Sequence, residues 1–156
     1  MKKLTLLLTA ATLAISAPLM AMDHDSMKMD HGSMKMDHGS MADMDNVIHT
    51  GVVNGVKATF ELYDIKAKME KMGMKETNHM MVMFTDAKTG KPLVEGEAML
   101  KIVAPDKTEQ VKNLMRMGNG FGSDVTLAKP GKYGVMCKFK PKTGKDIQAK
   151  FWYTVK

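Results

Sequence analysis

Hydrophobic and polar positions alternate in short runs from Val47 to the end of the chain, and turn-forming residues separate the runs. The first two runs flank Asn54-Gly55, which is a strong signal for a two-residue β-hairpin. Five further runs follow, at 79–85, 97–105, 121–128, 132–139 and 146–155. About seven short strands in about 110 residues predict an all-β fold, an immunoglobulin-like β-sandwich over residues 47–156.

The run "HMMVMFT" carries the chemistry of most interest in this domain. Strand alternation places His79, Met81 and Met83 on one face. Met72 and Met74 lie in the loop that precedes the run. On an outer face these residues are candidates for a soft-metal site, whereas on an inner face the methionines would fill an irregular core. The pattern alone leaves both interpretations open.

The segment "TLAKPGKYGVMCKF" resembles the tyrosine corner of immunoglobulin-like domains. In that device a Tyr placed just after a turn hydrogen-bonds back across the turn, and the following strand runs through the core. We therefore expect Tyr133, Val135, Cys137 and Phe139 to face inward. A buried thiol behaves as a small hydrophobic group, so Cys137 is not a favoured ligand.

The first 21 residues are typical of an export signal. Lys2 and Lys3 precede an apolar run at 4–15, and Ala21 is a suitable cleavage position. The run is too short to span a bilayer as a stable helix. We expect cleavage after Ala21 and a periplasmic location in a bacterium, with an uncleaved anchor as the alternative.

Residues 22–41, "MDHDSMKMDHGSMKMDHGSM", are nearly one heptapeptide written three times, and the tail continues to residue 46. Within each unit Met recurs at spacings of five and two, which scatter side chains around a helix and change faces along a strand. Gly, Ser and Asp favour an open chain. The segment is predicted to be a disordered tail.

The tail repeats a thioether, an imidazole and a carboxylate in every unit. Thioethers select Cu(I) and, by the same logic, Ag(I), and imidazole suits copper in both oxidation states. The predicted metal ligands of the tail are Met22, His24, Met27, Met29, His31, Met34, Met36, His38, Met41 and Met44. Repetition raises the local ligand concentration without a preformed cage. The alternative is a low-complexity linker whose methionines buffer oxidants as sulfoxides.

Cleavage after Ala21 would also create a second kind of copper site. The mature chain would begin Met22-Asp23-His24. A free amine, two deprotonated backbone amides and an imidazole at the third position form a square-planar nitrogen site, which selects Cu(II) or Ni(II). We therefore predict Cu(II) binding at the mature N-terminus.

Charge, composition and motifs argue against several classes of protein. Residues 22–46 carry a net charge of −4 and residues 47–156 a net charge of +8. A basic domain raises the question of nucleic acid, but export argues against that partner, and none is predicted. The single Cys cannot form an internal disulfide. No nucleophile with a paired His and no phosphate-binding Gly pattern is present, so the chain is not expected to be an enzyme.

Other candidates in the domain are weaker. Met115 and Met117 alternate out of a probable loop, and His49 alternates with apolar neighbours in a strand, which favours a structural role. Trp152, the only tryptophan, is a candidate to lie over a bound cation.

The tail is similar to the Met/His-rich segments of bacterial periplasmic copper-resistance proteins. The stretch from His79 to Val155, with "TDAKTGKPL", "LAKPGKY" and "FWYTV", resembles the YtkA-like family of exported immunoglobulin-like domains. That family's "Met-Pro-Met" region is replaced here by Met115-Arg116-Met117. The resemblance implies a role in copper homeostasis or metal resistance: sequestering, buffering or delivering copper, mainly Cu(I).

Two alternative functions remain open. The first is an accessory domain for iron uptake or oxidase copper-centre assembly, docking a membrane copper transporter or an oxidase assembly factor through its basic face. The second is a structural or adhesive β-sandwich with an incidental tail.

Overall fold

A computed structural model describes residues 44–156 of the chain. The predicted signal peptide, the cleavage position and the copper site at the mature N-terminus lie outside these residues, as do the tail ligands from Met22 to Met41. Residues 44–46, which the sequence analysis assigned to the open tail, form a short 3-10 helix (Met44–Asn46) instead.

Eight strands and one short helix follow this turn. Strand β5 and helix α1 were not predicted from the sequence. The strands are β1 (Val47–Val53), β2 (Val56–Asp64), β3 (Asn78–Asp86), β4 (Gly96–Val103), β5 (Glu109–Met117), β6 (Gly120–Val125), β7 (Gly131–Pro141) and β8 (Ile147–Val155), and helix α1 (Lys66–Lys71) lies between β2 and β3. No helix within residues 44–156 has the length and apolar character needed to cross a bilayer.

All neighbouring strands are antiparallel, and their hydrogen-bonded order is β1-β2-β3-β6-β5-β4-β7-β8. Strand β5 connects the two halves of this order. Its first part pairs with β4, from Glu109 to Leu114, and its last three residues, 115–117, pair with β6. The result is the predicted immunoglobulin-like β-sandwich, with β1, β2, β3 and β6 in one layer and β4, β7 and β8 in the other.

Inward-facing residues of both layers form one hydrophobic core. Phe84 of β3 stacks on Phe139 of β7 across the layers, with ring centroids 4.2 Å apart and planes 6° apart. Phe60 of β2 meets the edge of Phe151 of β8 at 4.8 Å. Stacked and edge-to-face aromatic pairs contribute beyond the area they bury, so these contacts help to hold the two layers together.

Two turn predictions are confirmed. Asn54 and Gly55 join β1 to β2 with φ values of 51° and 79°, the pair of positive angles that a type I′ hairpin turn requires. The buried Tyr133 donates a hydrogen bond from its hydroxyl to the Lys129 carbonyl (2.9 Å), and its oxygen accepts one from the Lys129 amide (3.1 Å). This is the predicted tyrosine corner.

The strand that follows the corner has the predicted inward face. Tyr133, Val135, Cys137 and Phe139 are all buried in the core. Burial in this apolar setting raises the pKa of the Cys137 thiol to about 12, because the thiolate would lose its hydration. The group stays protonated near neutral pH, which agrees with a packing role.

Candidate metal centre

The structure decides which face of β3 is buried. Met80, Val82 and Phe84 point into the core and are fully buried, whereas His79 and Met81 lie on the outer face and are only partly covered. Met83 shares this outer face. The alternative of a methionine-filled core is therefore wrong for the odd-numbered residues, and their side chains border solvent.

Strand β6 leaves space beneath these side chains. Met81 pairs with Gly122 across the sheet. A methyl group added at Gly122 would stand 2.6 Å from Met81 Sδ and 2.8 Å from His79 Nε2. Both donor atoms thus lie over one point of the β6 backbone. A side chain at Gly122 would occupy the space in which the sulfur and the ring nitrogen converge.

A carboxylate orients the imidazole. His79 Nδ1 lies 2.6 Å from Asp124 Oδ1, on the β6 residue that pairs with His79. When the ring is neutral this contact assigns the proton to Nδ1, so Nε2 keeps its lone pair. A carboxylate behind a histidine is the usual support of a metal-bound imidazole, because it fixes the tautomer and the ring orientation.

Strand β5 extends the same face on the other side of β6. Met115 pairs with Gly122, and Met117 pairs with Gly120. Paired residues of antiparallel strands project to the same side, so these methionines lie on the face of Met81 and Met83. Met115 is 65% exposed. We call the residues His79, Met81, Met83, Met115 and Met117 the methionine face.

Strand β2 adds a carboxylate at the border of this face. Glu61 pairs directly with Met81 and is only 5% exposed. Its Oε2 accepts a hydrogen bond from the Tyr63 hydroxyl at 2.6 Å. Its Oε1 is buried and has no hydrogen-bond partner among residues 44–156. A buried carboxylate oxygen without a partner is costly, and a cation at this position would compensate it.

This donor set fits a soft cation with a thioether preference. Thioether sulfur and imidazole nitrogen are ligands that Cu(I) accepts, while the oxygen of Glu61 adds affinity for a divalent ion. Within residues 44–156 no three His, Cys, Asp or Glu side chains come together as a conventional metal-binding group. The candidate centre therefore depends on its sulfur atoms.

Two further predicted ligands precede β3 in the chain. Met72 caps the C-terminal end of α1, and Met74 follows it in the loop, where its amide hydrogen-bonds to the Met69 carbonyl. The side chains of Met72 and Met74 are exposed. Their role as ligands stays a prediction.

The two aromatic candidates have local partners. His49 stacks on Phe151 at 4.2 Å and tilts against Phe60, which agrees with the predicted structural role. Burial lowers the pKa of His49 because it disfavours the charged ring. The cation over Trp152 is the Lys132 ammonium of the chain itself, 5.1 Å from the ring centroid, and the binding of an external cation there stays a prediction.

Replacing Gly122 by alanine tests the space between the donors. We expect about 10-fold weaker binding of Cu(I) or Ag(I) to the domain, similar to the loss caused by displacing an orienting group. Met81 Sδ and His79 Nε2 would both have to move. The matched control is Gly134→Ala on β7, where the added methyl would meet the Trp152 ring at 3.1 Å, away from the methionine face. Equal affinities for the two variants would contradict the assignment.

Comparison with known proteins places the fold. No family model matches the chain, and no curated protein matches it in sequence. The resemblance to the YtkA-like family therefore stays a prediction.

Solved structures do match. A copper-bound variant of FetP from uropathogenic Escherichia coli strain F11 is 14% identical, with a TM-score of 0.56, and the match covers 68% of this chain and 93% of that one. FetP as isolated, expressed recombinantly in the E. coli periplasm, is 17% identical, with a TM-score of 0.52 and the same coverage. A DUF4426 family protein from Pseudomonas aeruginosa PAO1 is 10% identical, with a TM-score of 0.53, covering 71% of this chain and 95% of that one. At these identities the comparisons establish a shared fold.

Several participants were not found by sequence reasoning. Glu61, Gly122 and Asp124 were not singled out, whereas Met115 and Met117 were named as weaker candidates but were assigned to a loop. A signal for Asp124 did exist, since a lone carboxylate in an otherwise uncharged strand is unusual. Its distance of 45 residues from His79 in the sequence concealed the pairing.

Proposed function

We propose that the chain is an exported copper-binding protein of the bacterial periplasm that sequesters, buffers or delivers copper, chiefly as Cu(I). It is a binding protein and not an enzyme. The observation that carries the proposal is the convergence of His79 Nε2 and Met81 Sδ over Gly122, with Asp124 orienting the imidazole from behind.

The tail and the domain differ in their ligands and so should differ in how they bind copper. The repeated tail offers many weak, interchangeable donors, which suits capture and release. The residues of the methionine face lie on β3 and β5, with β6 paired between them, so less conformational entropy is lost when the face binds an ion. In this scheme the tail collects several ions and the domain holds one.

The structural neighbours support a copper ligand. FetP has this sandwich fold with a TM-score above 0.5, and one of its structures contains copper. Its recombinant form came from the periplasm, which agrees with the export signal predicted for residues 1–21. At such low identity, the support for copper in this chain comes chiefly from its own donors.

Lowering the pH should affect the binding of Cu(I) and Cu(II) differently. Thioethers have no proton to lose on binding a metal, whereas imidazole must be neutral. Cu(I) held mainly by sulfur should therefore remain bound well below pH 6, while Cu(II) held by nitrogen and oxygen should be released as pH falls. Similar acid sensitivity of both ions in a competition titration would contradict a sulfur-based site.

A parallel Cu(I) titration tests the proposal. The predicted mature chain, residues 22–156, is compared with a chain that begins at Val47, each against a chromophoric Cu(I) chelator. We expect several Cu(I) per chain for the first and one for the second. Norleucine in place of methionine gives the matched control, since it preserves shape and removes sulfur. Copper binding that is unchanged by norleucine would refute the proposal.

The same titration distinguishes copper delivery from copper buffering. A protein that only delivers copper to a membrane transporter or an oxidase assembly factor needs one tight domain site and no capacity in the tail. Equal stoichiometry for the two chains would favour delivery over buffering.

A further inference from the structure

A second surface, in the other layer, is unrelated to the methionine face. Outward positions of β7 and β8 carry Lys132, Lys138, Lys140, Lys150 and Trp152, and all five side chains are exposed. We call these five residues the lysine–tryptophan face. Neither strand contains an Asp or Glu. We propose that this face binds the surface of an anionic phospholipid bilayer.

The four lysines on this face form no ion pairs among residues 44–156. On the adjacent strand β4, Glu97 pairs in register with Lys140. Asp146, just before β8, lines the same shallow depression as Lys138 and Lys140 but forms no ion pair with either. Glu109 is bound to Lys101 at 2.8 Å. Lys132 and Lys150, at the other end of the face, present unpaired charge to solvent.

Trp152 adds an apolar ring between Lys132 and Lys150. Its side chain is 67% exposed, although tryptophan normally buries most of its surface. The ring lies against the backbone of Gly134, where an added methyl would come within 3.1 Å of Cζ3, and the Lys132 ammonium lies 5.1 Å from the ring centroid. Tryptophan flanked by lysine is typical of proteins that sit at a membrane–water interface.

The chemistry of the face favours lipid over an acidic protein. Specific recognition of carboxylates or phosphates on a protein usually employs the bidentate fork of arginine. The only arginine of the chain, Arg116, lies on β5 and contacts Glu95. Lysine point charges spread over a sheet face match a diffuse anionic surface, and each gains about five-fold in affinity near such a surface.

The single tryptophan makes the test direct. The chain of residues 22–156 is titrated with vesicles of phosphatidylglycerol and phosphatidylcholine, and Trp152 fluorescence is recorded. We expect a blue shift and protection from acrylamide, both abolished in high salt and absent with pure phosphatidylcholine. An unchanged emission spectrum with the anionic vesicles would overturn the proposal.

Charge removal then locates the surface. The triple variant Lys132→Gln, Lys138→Gln, Lys150→Gln should bind the anionic vesicles about 100-fold more weakly.

The matched control removes the same charge from α1, with Lys66→Gln, Lys68→Gln and Lys71→Gln, and should lose less than about five-fold. Equal losses in the two triple variants would mean that net charge, and not this face, drives binding, and would overturn the proposal. Stronger binding to a soluble polyglutamate than to vesicles, without a change in Trp152 emission, would favour an acidic protein and also overturn it.

Neither result depends on copper. The vesicle measurements are made on metal-free protein, so failure here leaves the copper proposal untouched, and failure of the Cu(I) titration leaves this one untouched. If both hold, the protein lies on a membrane with its methionine face in the layer turned away from the lipid.

Discussion

Changing His79 to alanine and Met81 to leucine in one chain should weaken Cu(I) binding by the domain at least about 100-fold. These residues supply the nitrogen and the sulfur that converge over Gly122. Loss of an orienting partner alone typically costs 10- to 100-fold in metal affinity, and here two direct donors are removed. The measurement is competition with a Cu(I) chelator, using the chain that begins at Val47 so that the tail does not mask the domain.

The control must remove a sulfur without touching the site. Met99 is 40% exposed on β4, in the other layer. Met99→Leu should leave Cu(I) affinity unchanged, and thermal unfolding should show that both proteins are folded. If the His79/Met81 variant kept the affinity of the Met99 variant, the donors would have to lie elsewhere in the domain.

Phe139→Ala should lower the free energy of unfolding by about 3–5 kcal/mol. The ring of Phe139 is buried, stacks on Phe84 at 4.2 Å and tilts against Phe121 at 5.3 Å. Removing it leaves a cavity between the layers, directly behind the strands that carry the methionine face. Urea denaturation monitored by circular dichroism measures the change.

The neighbouring position supplies the comparison. Lys138 is exposed on the opposite side of the same strand, and Lys138→Ala should change stability by no more than about 0.5 kcal/mol. A loss below about 1 kcal/mol for Phe139→Ala would show that the aromatic stack does not join the layers.

The strands that were predicted correctly carry local signals. Asn54-Gly55 specifies a hairpin through its positive φ angles, and Pro130-Gly131 together with Tyr133 marks the tyrosine corner. Such signals lie within a few residues, so a sequence displays them directly.

Strand β5 was missed because its sequence lacks those signals. In "EQVKNLMRM" only Val111 is β-branched, and it is exposed, whereas Leu114 alone is buried. The segment becomes a strand because β4 and β6 provide its hydrogen-bonding partners. Pairing between distant segments is not visible in a local pattern.

The part of the candidate site on β3 was predicted, but its contacts with other strands were not, for the same reason. Alternation grouped His79, Met81 and Met83 but did not say which side faced the core. That choice depends on Phe84 meeting Phe139, a contact between layers. Likewise, Glu61 and Asp124 join the site only through the registers of β2 and β6 with β3.

Gly122 weakens strand β6 while it leaves room for the two donor atoms. Glycine in a strand interior is unfavourable, because it loses the most backbone freedom and packs no side chain. If small residues that cannot bind a metal replaced His79 and Met81, a threonine at position 122 should stabilise the domain. A thermostability screen of that double variant should select larger residues at position 122, whereas the same residues should lower copper binding in the intact protein. Selection for stability and selection for ion binding therefore favour different residues at this position.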